Sequence, residues 1–129
     1  MADKNILIVE DERPLAEAIK AQLEKLGFSV VTARTVDQAL LHLEEVRIDA
    51  VWLDHYLLGK ENGLDFIAKI KTEGSKWNSV PVFVVSNTAS DEHVQSYMRL
   101  GAKNYYVKAE HSLSDIIKEI TSYLTSSKD

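Results

Sequence analysis

The sequence predicts an α/β protein built on one open, doubly wound parallel sheet with helices on both faces. Five short apolar runs alternate strictly with five longer stretches whose apolar residues recur every three or four positions. Strands that alternate with helices must return over those helices, so they run parallel, and right-handed crossovers place helices on both faces. The chain has 129 residues, whereas a closed barrel of eight such units needs roughly 250, so we expect an open five-stranded sheet.

Each predicted strand is a short apolar run bounded by polar or turn-forming residues. The five runs are NILIVE (5–10), FSVVTA (28–33), IDAVWLD (48–54), VPVFVVSN (80–87) and NYYVK (104–108). The first, third and fourth runs are the most apolar, as expected for strands buried on both faces in the middle of a sheet. The second run is more polar and is predicted at an edge.

The helices are predicted from apolar periodicity together with residues that begin or end helices. The third helix is predicted over 64–73. The residues expected to bound the helices are Pro14 and Gly27 for the first, Thr35 for the second, Gly74 for the end of the third, Ser90 and Gly101 for the fourth, and Ser112 for the fifth.

Composition narrows the class of protein. The chain contains no cysteine, which excludes disulfides, thiolate metal sites and a cysteine nucleophile. The net charge of −5 argues against direct binding to nucleic acid, whose phosphates attract basic surfaces. The N-terminal MADKNILIVEDERP matches neither a signal peptide nor a membrane span. We therefore expect one cytoplasmic domain over 1–129, with its core at about 4–125 and no membrane contact.

Chemically competent side chains stand at the carboxyl ends of four predicted strands. Glu10 and Asp11 follow the first strand, Asp54 ends the third, Ser86 ends the fourth and Lys108 ends the fifth. Ligands of open α/β sheets bind outside the carboxyl ends of the strands, so this rim is the expected site. Asp54 is not followed at once by a helical pattern, so a helix-capping role does not explain it.

Taken alone, each of these residues also has an ordinary structural explanation. Asp11 could cap the first helix, Ser86 could be a turn residue, and Lys108 could be a solvated surface charge. Together, three carboxylates at one rim repel one another, and that cost is tolerable only if a cation binds or protons are taken up.

The donor chemistry indicates Mg²⁺, because hard carboxylate oxygens are the ligands this ion prefers. The four histidines, at positions 42, 55, 93 and 111, show no ligand spacing, so zinc is not expected. A carboxylate-bound metal beside a lysine and a hydroxyl is typical of a phosphoryl-handling site. Asp54 stands alone on a central strand and is the predicted nucleophile, which would form an acyl phosphate.

The sequence resembles the receiver domain of two-component response regulators, the CheY-like family, over about residues 4–125. The matching motifs are ILIVEDE for the acidic pair, VWLD for the phosphoacceptor, VVSN for the hydroxyl, and GAKNYYVK for an aromatic and the lysine. The resemblance implies a flavodoxin-like sheet in the order 2-1-3-4-5. It also implies a signalling domain that turns over no external substrate.

By this resemblance, Asp54 accepts a phosphoryl group from a sensor histidine kinase or a histidine phosphotransfer protein. Glu10 and Asp11 would hold Mg²⁺ together with Asp54 and the backbone carbonyl of Tyr56.

The resemblance also assigns the switch. Ser86 and Lys108 would bind phosphoryl oxygens, and Tyr105 would change rotamer as the hydroxyl moves. The surface of the fourth helix, fifth strand and fifth helix would then signal to a downstream effector protein or to a fused output domain. Such a switch requires that the phosphoryl contacts favour one of two pre-existing states.

The chain departs from the family pattern at three places. Leu58 stands where the family usually has proline, in a loop that is one residue longer before Gly63. Asn87 is bulkier than the usual alanine or glycine. Together with Tyr56 and Thr88 it is expected to modulate the access of the phosphoryl group to the site and the reaction rates there. Ala109 replaces the proline that usually follows the lysine.

The peptide bond between Lys108 and Ala109 is expected to be trans. A cis bond before a residue other than proline costs about 2.5–4 kcal/mol. The long lysine side chain can make up the reach that a cis bond would otherwise supply.

Three other functions are compatible with parts of the sequence. A flavodoxin-like FMN protein would need a phosphate-binding loop after the first strand, where EDERP would repel phosphate. A haloacid-dehalogenase-type phosphatase would need a second aspartate two residues after its nucleophile and room for a cap. A receiver-like module that acts through protein contacts without phosphorylation would be expected to have lost part of the site.

Overall fold

The computed structural model describes residues 4–88 and 90–126. The strands are β1 (Asn5–Val9), β2 (Ser29–Ala33), β3 (Ala50–Leu53), β4 (Val82–Ser86) and β5 (Asn104–Val107). The helices are α1 (Arg13–Lys25), α2 (Val36–Glu45), α3 (Gly63–Ile70), α4 (Asp91–Arg99) and α5 (Leu113–Ser126). The ends of the predicted domain, residues 1–3 and 127–129, lie outside the described residues.

The five strands form one parallel sheet in the order β2-β1-β3-β4-β5. The predicted fold class, strand order and edge position of β2 are therefore confirmed. Because strand order reverses between β1 and β3, the carboxyl ends of these two strands flank the switch point where open α/β sheets bind ligands.

The sheet is covered by apolar side chains on both faces, since successive strand residues point to opposite sides. One face packs Leu7 and Val9 of β1 against α2, α3 and α4, with Phe66 and Tyr97 fully buried. The other face packs Ile6 and Ile8 against α1 and α5. The three central strands are apolar on every face because each face is buried.

The predicted helix caps are present in the structure. The Thr35 hydroxyl accepts from the N–H of Gln38 at 3.1 Å. The hydroxyls of Ser90 and Ser112 accept in the same way from the amides of His93 and Asp115, at 3.2 and 3.1 Å. These serines and the threonine each satisfy an N–H that has no partner within the helix.

The third helix differs from its predicted span at both ends. It begins at Gly63 rather than Leu64, because Asn62 and Asp65 exchange side chain–backbone hydrogen bonds in a capping box. It ends at Ile70 rather than Glu73. The Thr72 hydroxyl donates to the carbonyls of Ala68 and Lys69 at 3.1 and 2.8 Å, and those are the carbonyls that a continuing helix would use.

The peptide bond between Lys108 and Ala109 is trans, as expected, and residues 4–88 and 90–126 contain no cis bond. A turn follows β5 at this point, closed by the N–H of Glu110, which donates to the carbonyl of Val107 at 2.9 Å. Within the described part of the chain, every helix is too short or too polar to cross a membrane.

The start of α3 is packed closely beneath α4 and the end of β3. A Cβ added to Gly63 would lie 2.8 Å from the carbonyl oxygen of Asp54 and 3.1 Å from the Cα of His55, and it would overlap the hydroxyl of Tyr97. The N–H of Gly63 donates to the carbonyl of His55 at 2.9 Å. Glycine is required here for space.

We predict that Gly63→Ala destabilises the protein by about 1–3 kcal/mol, as overpacking in a core typically does. Helix propensity alone predicts the opposite sign, since alanine is favoured over glycine in helices by roughly 1 kcal/mol. Urea unfolding measures the change. Tyr97→Phe removes the closest atom but leaves the carbonyl of Asp54, so in that background Gly63→Ala should cost less. A stabilised Gly63→Ala variant would contradict the packing.

Candidate functional site

Three carboxylates meet at the carboxyl ends of the central strands. Glu10, Asp11 and Asp54 each place one carboxylate oxygen within 4.8 Å of the other two. Two of these residues follow β1 and one follows β3, and the two strands are hydrogen-bonded neighbours. The convergence expected from the sequence is therefore present.

Asp54 is held in place by backbone hydrogen bonds at the end of β3. Its N–H donates to the carbonyl of Val9 at 2.9 Å, which continues the pairing of β1 and β3. Its Oδ1 accepts from the N–H of His55 at 2.9 Å. The residue is only 5% exposed, so little of its carboxylate contacts solvent.

Glu10 and Asp11 occupy different environments in the loop between β1 and α1. Glu10 is 1% exposed, and its carboxylate accepts from the N–H of Glu12 at 3.2 Å. Asp11 is half-buried. The capping role open to Asp11 is not observed, because the N-cap of α1 is Glu12 and no side chain caps that helix.

Lys108 reaches the cluster from the end of β5. Its Nζ lies 3.4 Å from Oε1 of Glu10 and 3.9 Å from Oδ1 of Asp54. Its backbone N–H donates to the carbonyl of Ser86 at 2.8 Å, which fixes the point from which the side chain extends. The ammonium thus offsets part of the carboxylate repulsion.

The electrostatics of the site oppose ionisation of the buried acids. The pKa of Glu10 is raised to about 7, chiefly by burial and also by the nearby Asp54 carboxylate, while Lys108 acts in the opposite direction. Burial likewise raises the pKa of Asp54 to about 6, against the lowering effect of Lys108 and of the hydrogen bond from His55. A bound cation would therefore stabilise the ionised form of both carboxyl groups.

The hydroxyl and aromatic residues expected at the rim lie on β4 and β5. Ser86 is fully buried, and its Oγ accepts from the N–H of Thr88 at 3.3 Å. The Tyr105 hydroxyl donates to the carbonyl of Thr88 at 2.9 Å. Asn87 is exposed beside Ser86, and the Tyr56 side chain is 55% exposed in the loop after Asp54.

A polar cluster beside the site was not predicted from the sequence. Nδ1 of the buried His55 shares a 2.7 Å hydrogen bond with the hydroxyl of Tyr97, which is fully buried in α4. The rings of His55 and His93 lie 4.4 Å apart, and Nδ1 of His93 is 3.2 Å from Oγ1 of Thr88. The two contacts that His55 makes with α4 join residues far apart in the chain, and no short-range pattern reports them.

A second residue that the sequence did not single out is Arg34, which follows the edge strand β2. Its Nε and Nη2 both donate to the backbone carbonyl of Asp11, at 3.1 and 2.9 Å. An arginine after a strand does not by itself predict a role at the site, since most arginines are surface charges.

The donor set fits a hard divalent cation. Glu10, Asp11 and Asp54 offer only carboxylate oxygens, the ligands suited to Mg²⁺. Across residues 4–88 and 90–126, this is the one group of three or more histidine or acidic residues with ligand atoms so close together. The carboxylates alone define the site as a candidate metal centre with a lysine beside it.

The fold and the site define an open α/β domain with an acidic rim at the carboxyl ends of its central strands, and comparison with known proteins identifies the family. Residues 6–121 match the response regulator receiver domain. The chain belongs to this family, whose members act in two-component systems.

Relatives with known roles are regulators of transcription. The chain is 37% identical over 103 residues to the alginate biosynthesis transcriptional regulatory protein AlgB of Pseudomonas aeruginosa, and 34% identical over 105 residues to the phosphate regulon transcriptional regulatory protein PhoB of Escherichia coli. These matches cover 80% and 81% of this chain, but 22% of AlgB and 45% of PhoB. The chain thus spans less than half of each relative.

Solved structures agree with the fold. The phosphorylated cyanobacterial phytochrome response regulator RcpA is 26% identical, with a TM-score of 0.86 and 98% of each chain covered. The Vibrio cholerae chemotaxis protein CheY4 is 21% identical, with a TM-score of 0.83, covering 94% of this chain and 98% of its own. The second likeness bears on the fold alone.

We predict that the metal-free protein loses stability as the pH rises from about 4 to about 7. The pKa of Glu10 and of Asp54 is raised by folding, so the folded state binds more protons than the unfolded state in this window. The expected loss is roughly 2–4 kcal/mol in the free energy of unfolding, measured by urea titration in EDTA at several pH values.

The control for this prediction is Asp54→Asn. Burial lowers the pKa of His55, so that residue adds stability as the pH rises and opposes the carboxylates. Since His55 is present in both proteins, the difference between wild type and Asp54→Asn isolates the carboxylate contribution. A difference that does not change with pH would contradict the electrostatic description of the site.

Proposed function

We propose that this domain accepts a phosphoryl group on Asp54 from the phosphohistidine of a sensor histidine kinase or a histidine phosphotransfer protein. The observation that carries the proposal is the position of one buried carboxylate at the end of the central strand β3. Two further carboxylates lie within 4.8 Å, and a lysine lies 3.9 Å away. The receiver family match and the 26% identity to a regulator crystallised in its phosphorylated form support it.

In the proposed step, an Asp54 carboxylate oxygen attacks phosphorus and an acyl phosphate bond forms. The bond between phosphorus and the donor nitrogen breaks, and its electron pair returns to the donor imidazole, which takes up a proton. Lys108 would pair with a phosphoryl oxygen once Asp54 has reacted, and the distances from its Nζ to Glu10 and Asp54, 3.4 and 3.9 Å, support this role. Ser86 would donate its hydroxyl to another phosphoryl oxygen.

The residues that would hold Mg²⁺ are Glu10, Asp11, Asp54 and the backbone carbonyl of Tyr56. When bound, the ion supplies positive charge that neutralises the phosphoryl oxygens during transfer. The chain's own part is to keep the carboxylates ionised and aimed at one point, which Lys108 favours by lowering their pKa. Tyr56, Asn87 and Thr88 would modulate access from the rim.

The signal is proposed to leave through the surface of α4, β5 and α5. Tyr105 lies on β5, and its hydroxyl donates a hydrogen bond to the carbonyl of Thr88, in the loop that follows Ser86. A hydroxyl that moves toward a phosphoryl group would change the environment of this tyrosine. The recipient would be an effector protein or an output domain, as in regulators of which the receiver is one part.

We predict that intact mass rises by one phosphoryl group when the protein is incubated with acetyl phosphate and Mg²⁺. Asp54→Asn should abolish the gain, since its amide is not a nucleophile of this kind. Glu119→Gln, the same acid-to-amide change at an exposed residue of α5, is the control and should be labelled normally. Full labelling of Asp54→Asn would refute the assignment. An unlabelled wild type would favour a module that acts through protein contacts alone.

We also predict that Mg²⁺ stabilises the fold and that Asp11 is needed for this effect. A ligand that binds only the folded state adds stability by mass action. Asp11→Asn should raise the melting temperature in EDTA, because it removes a charge that opposes ionisation of Asp54. The same variant should lose the Mg²⁺-induced rise. If thermal unfolding shows an unchanged rise, Asp11 is not a ligand.

A further inference from the structure

Arg34 connects two loops at the rim of the sheet. Its guanidinium donates twice to the backbone carbonyl of Asp11, at 3.1 and 2.9 Å. Its own carbonyl accepts from the N–H of Leu58 at 3.0 Å. One residue therefore fastens the loop after β1 and the loop after β3.

These two loops carry the proposed metal ligands. Asp11 itself lies in the first, and the second contains Tyr56, two residues before Leu58. Arg34 is fixed in turn, because its N–H donates to Oε1 of Gln38 at 2.8 Å and β2 pairs with β1 up to Ala33. The half-buried side chain of Arg34 therefore extends from a backbone position that the sheet and Gln38 hold in place.

The contacts of Arg34 differ from those of an ordinary surface arginine. In the part of the chain that the structure describes, its guanidinium forms no ion pair with a carboxylate. Both of its hydrogen bonds go to one carbonyl oxygen, belonging to a residue whose side chain joins the acidic cluster. The interaction leaves the Asp11 carboxylate free while restraining its backbone.

We propose that Arg34 is a positioning residue for the divalent cation: it holds the backbone of Asp11, and through Leu58 the loop of Tyr56, in the arrangement that binds the metal. The inference rests on the proposed function, of which it uses the metal site alone. Outer contacts that orient metal ligands typically change metal affinity by 10–100-fold when they are removed.

The positive charge of Arg34 by itself predicts the opposite effect on Mg²⁺ affinity, which makes the inference testable. A guanidinium near the cluster repels a divalent cation, so its charge alone weakens binding. Removing the charge would then tighten Mg²⁺ binding, whereas removing a positioning contact would weaken it. The two effects are separated by comparing a neutral with a charged replacement of Arg34.

The experiment compares Arg34→Met, Arg34→Lys and Arg13→Met with wild type. Arg13 is exposed, lies two residues from Asp11, and makes no side-chain hydrogen bond or ion pair within residues 4–88 and 90–126. Arg13→Met therefore also removes one positive charge close to Asp11, but it removes no hydrogen bond to the backbone carbonyl of Asp11. Mg²⁺ dissociation constants come from calorimetry, and amide exchange of both loops is followed in EDTA by mass spectrometry.

We expect about 10-fold weaker Mg²⁺ binding and faster exchange in both loops for Arg34→Met. Arg34→Lys should fall between this variant and wild type, because lysine keeps the charge and can reach the carbonyl with one donor. Arg13→Met should bind Mg²⁺ as tightly as wild type or more tightly. Acetyl phosphate labelling of Arg34→Met should be slow at limiting Mg²⁺ and recover at saturation.

Unchanged or tighter Mg²⁺ binding by Arg34→Met would overturn the inference, as would loop exchange equal to that of wild type. If Arg34→Met unfolds, Arg34→Lys decides, and an affinity equal to wild type in that variant refutes the inference. Failure of the proposed function is separate. A wild type that binds Mg²⁺ but is not labelled refutes phosphoryl transfer and leaves the role of Arg34 standing.

Discussion

The burial of carboxylates at the end of the central strands is the constraint on which the site depends. Glu10 and Asp54 are almost fully buried, and burial alone raises the pKa of both. A fold that holds these acids together without a cation gives up stability at neutral pH. Lys108, which follows β5, offsets part of that loss of stability. A ligand that supplies positive charge would offset the remainder. A bound cation would therefore stabilise the folded protein at neutral pH.

The sheet topology explains why these acids meet at all. Parallel strands bring their carboxyl ends to one edge, and the neighbours β1 and β3 place Asp54 beside the loop of Glu10 and Asp11. The three central strands are held by apolar layers on both faces, so the rim residues follow strands that are fixed by packing. Loops can then vary at the rim without displacing the carboxylate of Asp54.

The sequence predicted those parts of the structure that local patterns determine. Apolar periodicity predicts the alternating strands and helices, and Thr35, Ser90 and Ser112 predict helix starts because a cap acts over three residues. The predicted end of α3 was wrong because the Thr72 hydroxyl competes for the last backbone carbonyls of the helix. In the sequence, Gly74 is the stronger indication of a helix end, so the prediction followed the glycine. Contacts between distant segments, such as those of Arg34 and Tyr97, depend on the completed fold.

The contacts that the sequence could not predict share one feature: each fastens a rim loop to a neighbouring element. Arg34 ties the loops after β1 and β3 to the edge strand. His55 donates its N–H to Asp54 and shares a hydrogen bond through its ring with the buried hydroxyl of Tyr97 in α4. Breaking a buried polar pair leaves groups unsatisfied, at a cost of about 1–3 kcal/mol. His55 therefore links the loop after Asp54 to helix α4, so a displacement of His55 would also act on α4.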